Sequence, residues 1–585
     1  MLRKLVRGHE ARHERELVAL LEQPAFAAID DEPHRGKQQH GIYRQLELLN
    51  GWARSGSALI ADNQRLFDAL AFAATVSPPL FSVAQEHYGV CLASIKALGR
   101  PSAALDRVIT DLDKLSSVAV ILNTEIGVSC SHFAIGTRAD YDPASDEFVL
   151  TTPTASSCKF LGNVALDGVA KTGLVFAQVW CGDRHLGLFP FVVPIRDRER
   201  VCEGVNIKEL SGASSLGLDY SVVSFSGARV PRTHWLQDSA TLGTDGEFHD
   251  PLGDAGKRML RSLSAGTNAW IASAVGAAAA ARASAWTAIR YASKRKTSAL
   301  LDRDWSILAF RNVQGMLLTA LAEAFVISHF ASRLTGGVEH EGTTSGISTV
   351  PWAAVSKIGA LTKAITVAGA ADAIQNCRRA TGGHGFVGEN RLCSYKDLVD
   401  AYGSAGGDSQ LILIEIGREL ASKPSELPEV PALPESLDGV DALHALMMFE
   451  EHSQHQRASA GLAAAKPGDD AYLSIWNPRL PALIDLARTH GCRLAVESFL
   501  AQEVASEDRQ PVLALATLYV LEHFGQRLAH ELRDAALAGA FDVVMANLDR
   551  LLDAFDLSPT LVNAPLAQED YIAAYVADLP LGRSK

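Results

Sequence analysis

The hydrophobic pattern of this chain changes period twice, and that change limits the folds open to it more than any other feature. Up to about residue 118, apolar residues recur three and four apart, as in 14–21, 42–49 and 59–73, which is helical spacing. From there to about residue 240, short β-branched and aromatic runs take over at 148–152, 174–180, 187–193 and 221–225. Turn residues such as Asp142-Pro143 and Gly182-Asp183 separate them. Helical spacing returns after about residue 255 in four long segments, 261–298, 305–335, 349–380 and 408–422, whose lengths predict a bundle. Pro424, Pro428, Pro431 and Pro434 then interrupt the chain, because proline at that density cannot continue a helix. Residues 439–577 read as helical again, with an amphipathic run at 513–537. The predicted class is α+β, mostly α. Its parts are an N-terminal helical domain (1–118), a central β-barrel or sandwich (119–240), a helical bundle (255–422), a Pro-rich linker (423–438) and a C-terminal helical domain (439–585).

Bulk properties exclude several functions. The net charge is −13 with no dense Lys/Arg block, which argues against nucleic acid as the main partner. Eight cysteines occur without a C-x-x-C pair, so neither a zinc knuckle nor a disulfide framework is indicated, and a reducing cytoplasmic setting is expected. The charged first residues lead into no apolar segment of the secretory kind. The uncharged run 262–281 has the length of a membrane span, but Ala, Ser and Gly dominate it, so it is expected to be a buried bundle helix and no membrane partner is predicted. His9-Glu10-Ala11-Arg12-His13 fits the H-E-x-x-H zinc pattern. No third ligand follows at a plausible spacing, so no metal is predicted.

The densest motif is residues 377–392, Cys-Arg-Arg-Ala-Thr-Gly-Gly-His-Gly-Phe-Val-Gly-Glu-Asn-Arg-Leu. Glycines without Cβ let backbone N–H groups approach a phosphate closely. Three other segments accompany it. Asn123-Thr124-Glu125-Ile126-Gly127 opens the strand-rich unit. Tyr141-Asp142-Pro143 through Phe148 leads to Cys158-Lys159-Phe160-Leu161. Tyr291 through Arg295 and Phe310 through Gln314 lie in the bundle. In wording and order the whole resembles the acyl-CoA oxidases, a branch of the acyl-CoA dehydrogenase superfamily. Their extra C-terminal helical domain also matches the domain order read above.

The resemblance implies FAD as cofactor. Its contacts would be Thr124, Gly127, Lys159, Phe160, Arg295, Phe310, Gln314 and the turn Gly382, Gly383, His384, Gly385 and Phe386, with part of the dinucleotide held across a subunit interface. A homodimer or larger homo-oligomer is implied with it. It further implies oxidation of a small-molecule substrate, possibly CoA- or carrier-linked, with O2 as acceptor.

The family takes its substrate's α-proton with a Glu, in a stretch like Tyr-x-x-x-Glu-Gly-Asp-Asn. This chain reads Tyr402-Gly403-Ser404-Ala405-Gly406-Gly407-Asp408-Ser409, so Gly406 stands at the acid's position. Some relatives place the acid on the first bundle helix, which falls here near Ala269. Loss of a general base forfeits roughly two to four powers of ten in rate. Glu125, Asp408, Glu323 and Asp400 are the carboxylates that could substitute. Alternatively, the substrate is an acyl thioester replaced or modified to an amine, hydrazine or specialised metabolite that needs no strong base. The remaining readings are a monooxygenase on the same fold and an inactive flavin- or ligand-binding homologue.

Overall fold

The computed structural model describes residues 2–8, 13–27, 35–129, 131–210, 216–264, 267–297, 304–336, 356–422, 432–460, 472–577 and 579. Four residues of the zinc-like motif, 9–12, and most of the Pro-rich stretch, 423–431, lie outside them.

The N-terminal unit is helical. Its 59–73 run is two helices, Gly56–Ile60 and Asn63–Val76, because Asp62 caps the second by accepting from the Arg65 N–H at 3.1 Å. Ser77 and Pro78 then start Pro78–Ala84, which runs into a π-helical turn, Gln85–Leu92. That turn docks against the first strand of the sheet.

The sheet has eight strands: β1 (Val118–Leu122), β2 (Arg138–Asp142), β3 (Glu147–Thr151), β4 (Lys159–Asn163), β5 (Lys171–Cys181), β6 (Arg184–Arg196), β7 (Val205–Glu209) and β8 (Tyr220–Pro231). Their order is β1-β5-β2-β3-β8-β4, with β6 paired to β5 and β7 to β8. The four apolar runs read from sequence fall on β3, β5, β6 and β8. The shorter β2 and β7 are rich in charged and polar residues, and a bulge at Leu161 interrupts β4.

The barrel alternative does not hold, because the sheet fails to close. Its two end strands meet only beyond β1, where Phe160 N–H donates to Thr124 O and Ile126 N–H to Cys158 O, each at 3.0 Å. One face of the sheet packs on its own aromatic core, with Phe148 and Phe189 against Trp235 at ring separations of 5.3 and 5.1 Å. The other face packs Leu174, Phe176 and Leu188 against helical residues that include Leu92, Met259 and Ala269.

The bundle comprises Thr267–Lys294, Arg311–Ser332, Lys357–Ala380 and Ser409–Ser422, with a further helix, Leu392–Ser404, between the last two. Small residues let these helices come close: a Cβ on Gly276 would sit 2.5 Å from the Phe81 ring. The uncharged 262–281 run is divided between Ala255–Ser264 and Thr267–Lys294, and its apolar residues from Ala269 onward are buried. Among the described residues, Arg311–Ser332 is the helix long and apolar enough to cross a membrane, and 78% of its most apolar window is buried in the protein. The C-terminal helices share one continuous core with the bundle. The 513–537 run is not one helix: Ser506–Phe524 ends at Gly525, and His530–Ala546 starts afresh.

Candidate active site

The corner around residue 406 is built by glycine and one buried lysine. Gly406 and Gly407 are both left-handed, with φ 65° and 91°. Lys363, fully buried on Lys357–Ala380, ties this turn down. Its Nζ donates to the carbonyls of Gly407 and Gly403 and, at 3.0 Å, to Ser409 Oγ. Burial pushes the ammonium down to about 7 against the pull of Asp408. A Cβ on Gly406 would lie 3.9 Å from Ala269 Cβ and 3.2 Å from Ser273 Oγ. The two sequence positions at which an acid was sought are therefore neighbours in space, and both lack a carboxyl.

The substitute carboxylates named from sequence are committed elsewhere. Asp408 caps Ser409–Ser422, accepting from the N–H groups of Gln410 and Leu411 at 2.9 and 3.2 Å. Asp400 is exposed and paired with Lys396. Glu323 lies between bundle and C-terminal helices, 2.9 Å from His523 Nε2.

Glu125 is bound most completely of all. It accepts from Gly136 N–H at 2.8 Å, Thr137 N–H at 2.9 Å, Thr137 Oγ1 at 2.6 Å and Lys159 Nζ at 2.9 Å. Burial alone would raise its carboxyl, but the Lys159 charge and these donors hold it below the usual carboxylate value. Glu125 is a staple where the sheet fails to close, not a base.

Lys159 is the other half of that staple. It has no accessible surface, and its remaining contact is the Phe176 carbonyl at 2.7 Å, so it reaches no cofactor. Gly127 is glycine because a Cβ there would meet Ser156 Cβ at 2.4 Å. Thr124 and Phe160 join backbone to backbone beside the staple, and an apolar rim of Ile126, Phe133 and Leu161 stands exposed around it. Leu161 is turned outward by its left-handed backbone, φ 64°.

On the bundle, the turn 382–386 is open in part. Gly382 (φ 59°) and Gly383 have free space where a side chain would go, and the Phe386 ring is 80% exposed. Gly385 is closed, since its Cβ would lie 2.5 Å from Arg378 O. Asn390 braces the turn from behind, donating to His384 O at 2.8 Å and accepting from Leu566 N–H at 3.1 Å. The His384 ring packs on Tyr291 at 5.2 Å and on Tyr575 at 5.3 Å, and Arg295 hydrogen-bonds Tyr291. Two segments distant in sequence, 291–295 and 382–386, thus form one surface. Gln314 does not join it: Arg311 and the Leu308 carbonyl occupy its amide, and Phe310 caps the helix start.

An open glycine turn with an arginine nearby suits a pyrophosphate, and the exposed apolar rims suit flat rings. The residues present therefore fit a flavin dinucleotide.

Sequence reading missed Lys363 and Glu86. Glu86 sits in the π-helical turn, half-buried, with Oε1 accepting from Ile121 N–H of β1 at 2.7 Å. Its neighbour Gln85 accepts from Tyr402 OH at 3.0 Å, one helical turn before Gly406. Burial raises the Glu86 carboxyl to about 8, even though Ile121 N–H and Lys171 oppose that. A lone Glu in a helical run carries no sequence signal of this.

The acyl-CoA oxidase C-alpha1 domain family matches residues 269–421, the stretch that holds the bundle, the glycine turn and the Gly406 corner. Peroxisomal acyl-coenzyme A oxidase 2 of Arabidopsis thaliana is 28% identical over 333 residues, 55% of this chain and 47% of its own. Human peroxisomal acyl-coenzyme A oxidase 3 is 28% identical over 53% of this chain and 46% of its own. The chain spans about half the length of these curated relatives in the match. Among solved structures, the tomato acyl-CoA oxidase LeACX1 superposes with a TM-score of 0.80 at 17% identity, over 100% of this chain and 95% of its own. Acyl-CoA oxidase-2 of Caenorhabditis elegans, solved with FAD, ascaroside-CoA and ATP, gives 0.81 at 18%, over 99% and 92%. Those structures share this chain's fold over nearly its whole length. Residues 269–421 are thus similar in sequence to the acyl-CoA oxidase C-alpha1 domain family, and the chain as a whole shares the fold of the solved acyl-CoA oxidases.

Proposed function

We propose that this protein is an FAD-dependent oxidoreductase of the acyl-CoA oxidase kind, acting on an acyl thioester with O2 as acceptor, and working without the usual proton-abstracting acid. The observation that carries the second half is the corner where Gly406 and Ala269 face each other without a carboxyl. The bound flavin supplies the two-electron acceptor. The chain's own residues bind and orient. Thr124 and Phe160 line the sheet side, Lys363 holds the 403–409 turn in shape, and the Gly382–Phe386 turn with Arg295 offers donors to phosphate. Phe386, exposed in one copy, is the surface on which a second copy would close, so the proposal includes a homodimer.

A substrate for such a site carries an unusually acidic α-proton or a nitrogen lone pair that promotes hydride loss. Purified protein is expected to show flavin absorbance that bleaches anaerobically with a suitable thioester. Gly406→Glu is expected to raise turnover of a plain acyl-CoA by two to four powers of ten. Its left-handed backbone would cost about 1–2 kcal/mol in stability. Ala269→Glu, on regular helix, is the unstrained version of the same test. No gain from either, in variants that retain FAD, would reject a plain thioester substrate.

A further inference from the structure

A segment far along the chain closes over the glycine turn. The helix Tyr571–Val576 puts Tyr571 and Tyr575 against the His384 ring, at ring separations of 5.9 and 5.3 Å. Its approach is fixed from the bundle helix Thr267–Lys294. Lys294 Nζ donates to the carbonyls of Gln568 and Glu569 at 3.0 and 2.9 Å, and Arg290 donates to the Glu569 carboxylate at 2.7 Å. Tyr575 is thereby brought to Asn390, behind the turn.

The hydrogen bonds there determine one another, because two of the partners are backbone groups with a single role each. Leu566 N–H can only donate, so the buried Asn390 amide receives it on Oδ1, at 3.1 Å. His384 O can only accept, so it takes one Asn390 Nδ2 hydrogen, at 2.8 Å. The second Nδ2 hydrogen goes to Tyr575 OH. That phenol oxygen is already an acceptor, so its own hydrogen is left for His384 Nδ1, 3.3 Å away. A neutral imidazole that accepts on Nδ1 carries its hydrogen on Nε2. Among the described residues no group bonds Nε2, which is not buried and belongs to the turn that holds the open Gly382 and Gly383.

We propose that Tyr575 is a positioning residue for the dinucleotide: it holds His384 as the Nε2–H tautomer, so that the ring offers a donor to a phosphate oxygen at the glycine turn. This rests on the FAD reading above. With its hydrogen on Nδ1 instead, the same ring would present a lone pair to the phosphate, which repels it.

The test uses the full chain stripped of flavin. FAD affinity is read by fluorescence quenching on titration. The His384 ring is read by nitrogen NMR of histidine-labelled protein, its signal assigned by its loss in His384→Gln. With no ligand present, the wild-type ring should carry its hydrogen on Nε2. Tyr575→Phe keeps the aromatic ring and loses the hydroxyl, so the signal should move toward a mixture of tautomers and FAD should bind about threefold to tenfold more weakly. His384→Gln places an amide N–H where Nε2 stands, and His384→Asn places one where Nδ1 stands. The Gln variant should bind FAD about tenfold more tightly than the Asn variant. Adding Tyr575→Phe to His384→Gln should cost no further affinity. Hydrogen on Nδ1 in the wild type, equal affinities of the Gln and Asn variants, or the same loss from Tyr575→Phe in both backgrounds would overturn the assignment. If Tyr575→Phe does not fold, the wild-type ring signal and the Gln–Asn comparison decide. A wild type that binds no FAD sinks the flavin reading, and the phosphate donor with it. FAD binding with hydrogen on Nδ1 sinks this assignment alone.

Discussion

Glu125 and Glu86 both reach the neighbourhood of β1, and they are held in opposite ways. Glu125 takes four donors, one of them a buried ammonium, and together they outweigh its loss of solvation. Glu86 takes one backbone N–H beside an amide, and burial wins. The difference is one of local donors rather than depth. A carboxylate inside a protein is structural when its lone pairs are filled and available for chemistry when they are not. The residue in the recognisable motif is therefore the fixed one, and the residue outside any motif is the one left open.

Two perturbations should separate the two, and a third, away from both, should have the smallest effect. Glu125→Ala strands the Lys159 ammonium without its counter-charge and is expected to cost about 3–5 kcal/mol in denaturant unfolding. A loss near zero would mean that the sheet seam does not depend on this pair.

Glu86→Gln should act through pH. The folded carboxyl is raised from an ordinary 4.5 to about 8, so the native state holds its proton longer than the unfolded one. Wild-type stability relative to the variant is then greatest below the unfolded value. It falls as pH rises between the two values and levels off above the folded one. At pH 9 the variant should be the more stable by a few kcal/mol, and at pH 4 that advantage should be gone. Glu125, held low, contributes with the opposite sign: its stabilisation is present above its unfolded value and lost as the solution is acidified. A Glu86→Gln difference that moves in the wild type's favour as pH rises would place both carboxyls in the same class.

The smallest effect belongs to the bundle turn, which neither acid touches. Gly382→Ala meets no atom but must adopt φ 59°, so a loss of about 1 kcal/mol is expected, read as a thermal shift.

Much of the architecture was legible because burying one face of an element writes its period into the sequence. The long helices and four of the strands stand where the apolar runs lie. Boundaries were less so. The 59–73 and 513–537 runs keep helical spacing across breaks that Asp62 and Gly525 impose locally. The polar β2 and β7 owe their strand state to neighbours rather than to their own composition. In the site, the glycine turn could be read because its residues are contiguous. Lys159 and Gln314 could not, because what they do depends on which atoms fold onto them.

The order of helical and strand-rich segments, the glycine-dense turn at 382–386 and the glycines at 406 and 407 were properties of the sequence itself, since each depends on residue type and spacing along the chain. Tertiary structure alone decided that position 269 shares Gly406's corner, that Glu125 is a staple and that the Glu86 carboxyl meets Ile121 N–H of β1. Each of those outcomes depends on partners tens of residues or more away, 34 for Lys159 with Glu125 and 35 for Ile121 with Glu86. A carboxyl's charge state is set by the atoms packed around it, which no local pattern specifies.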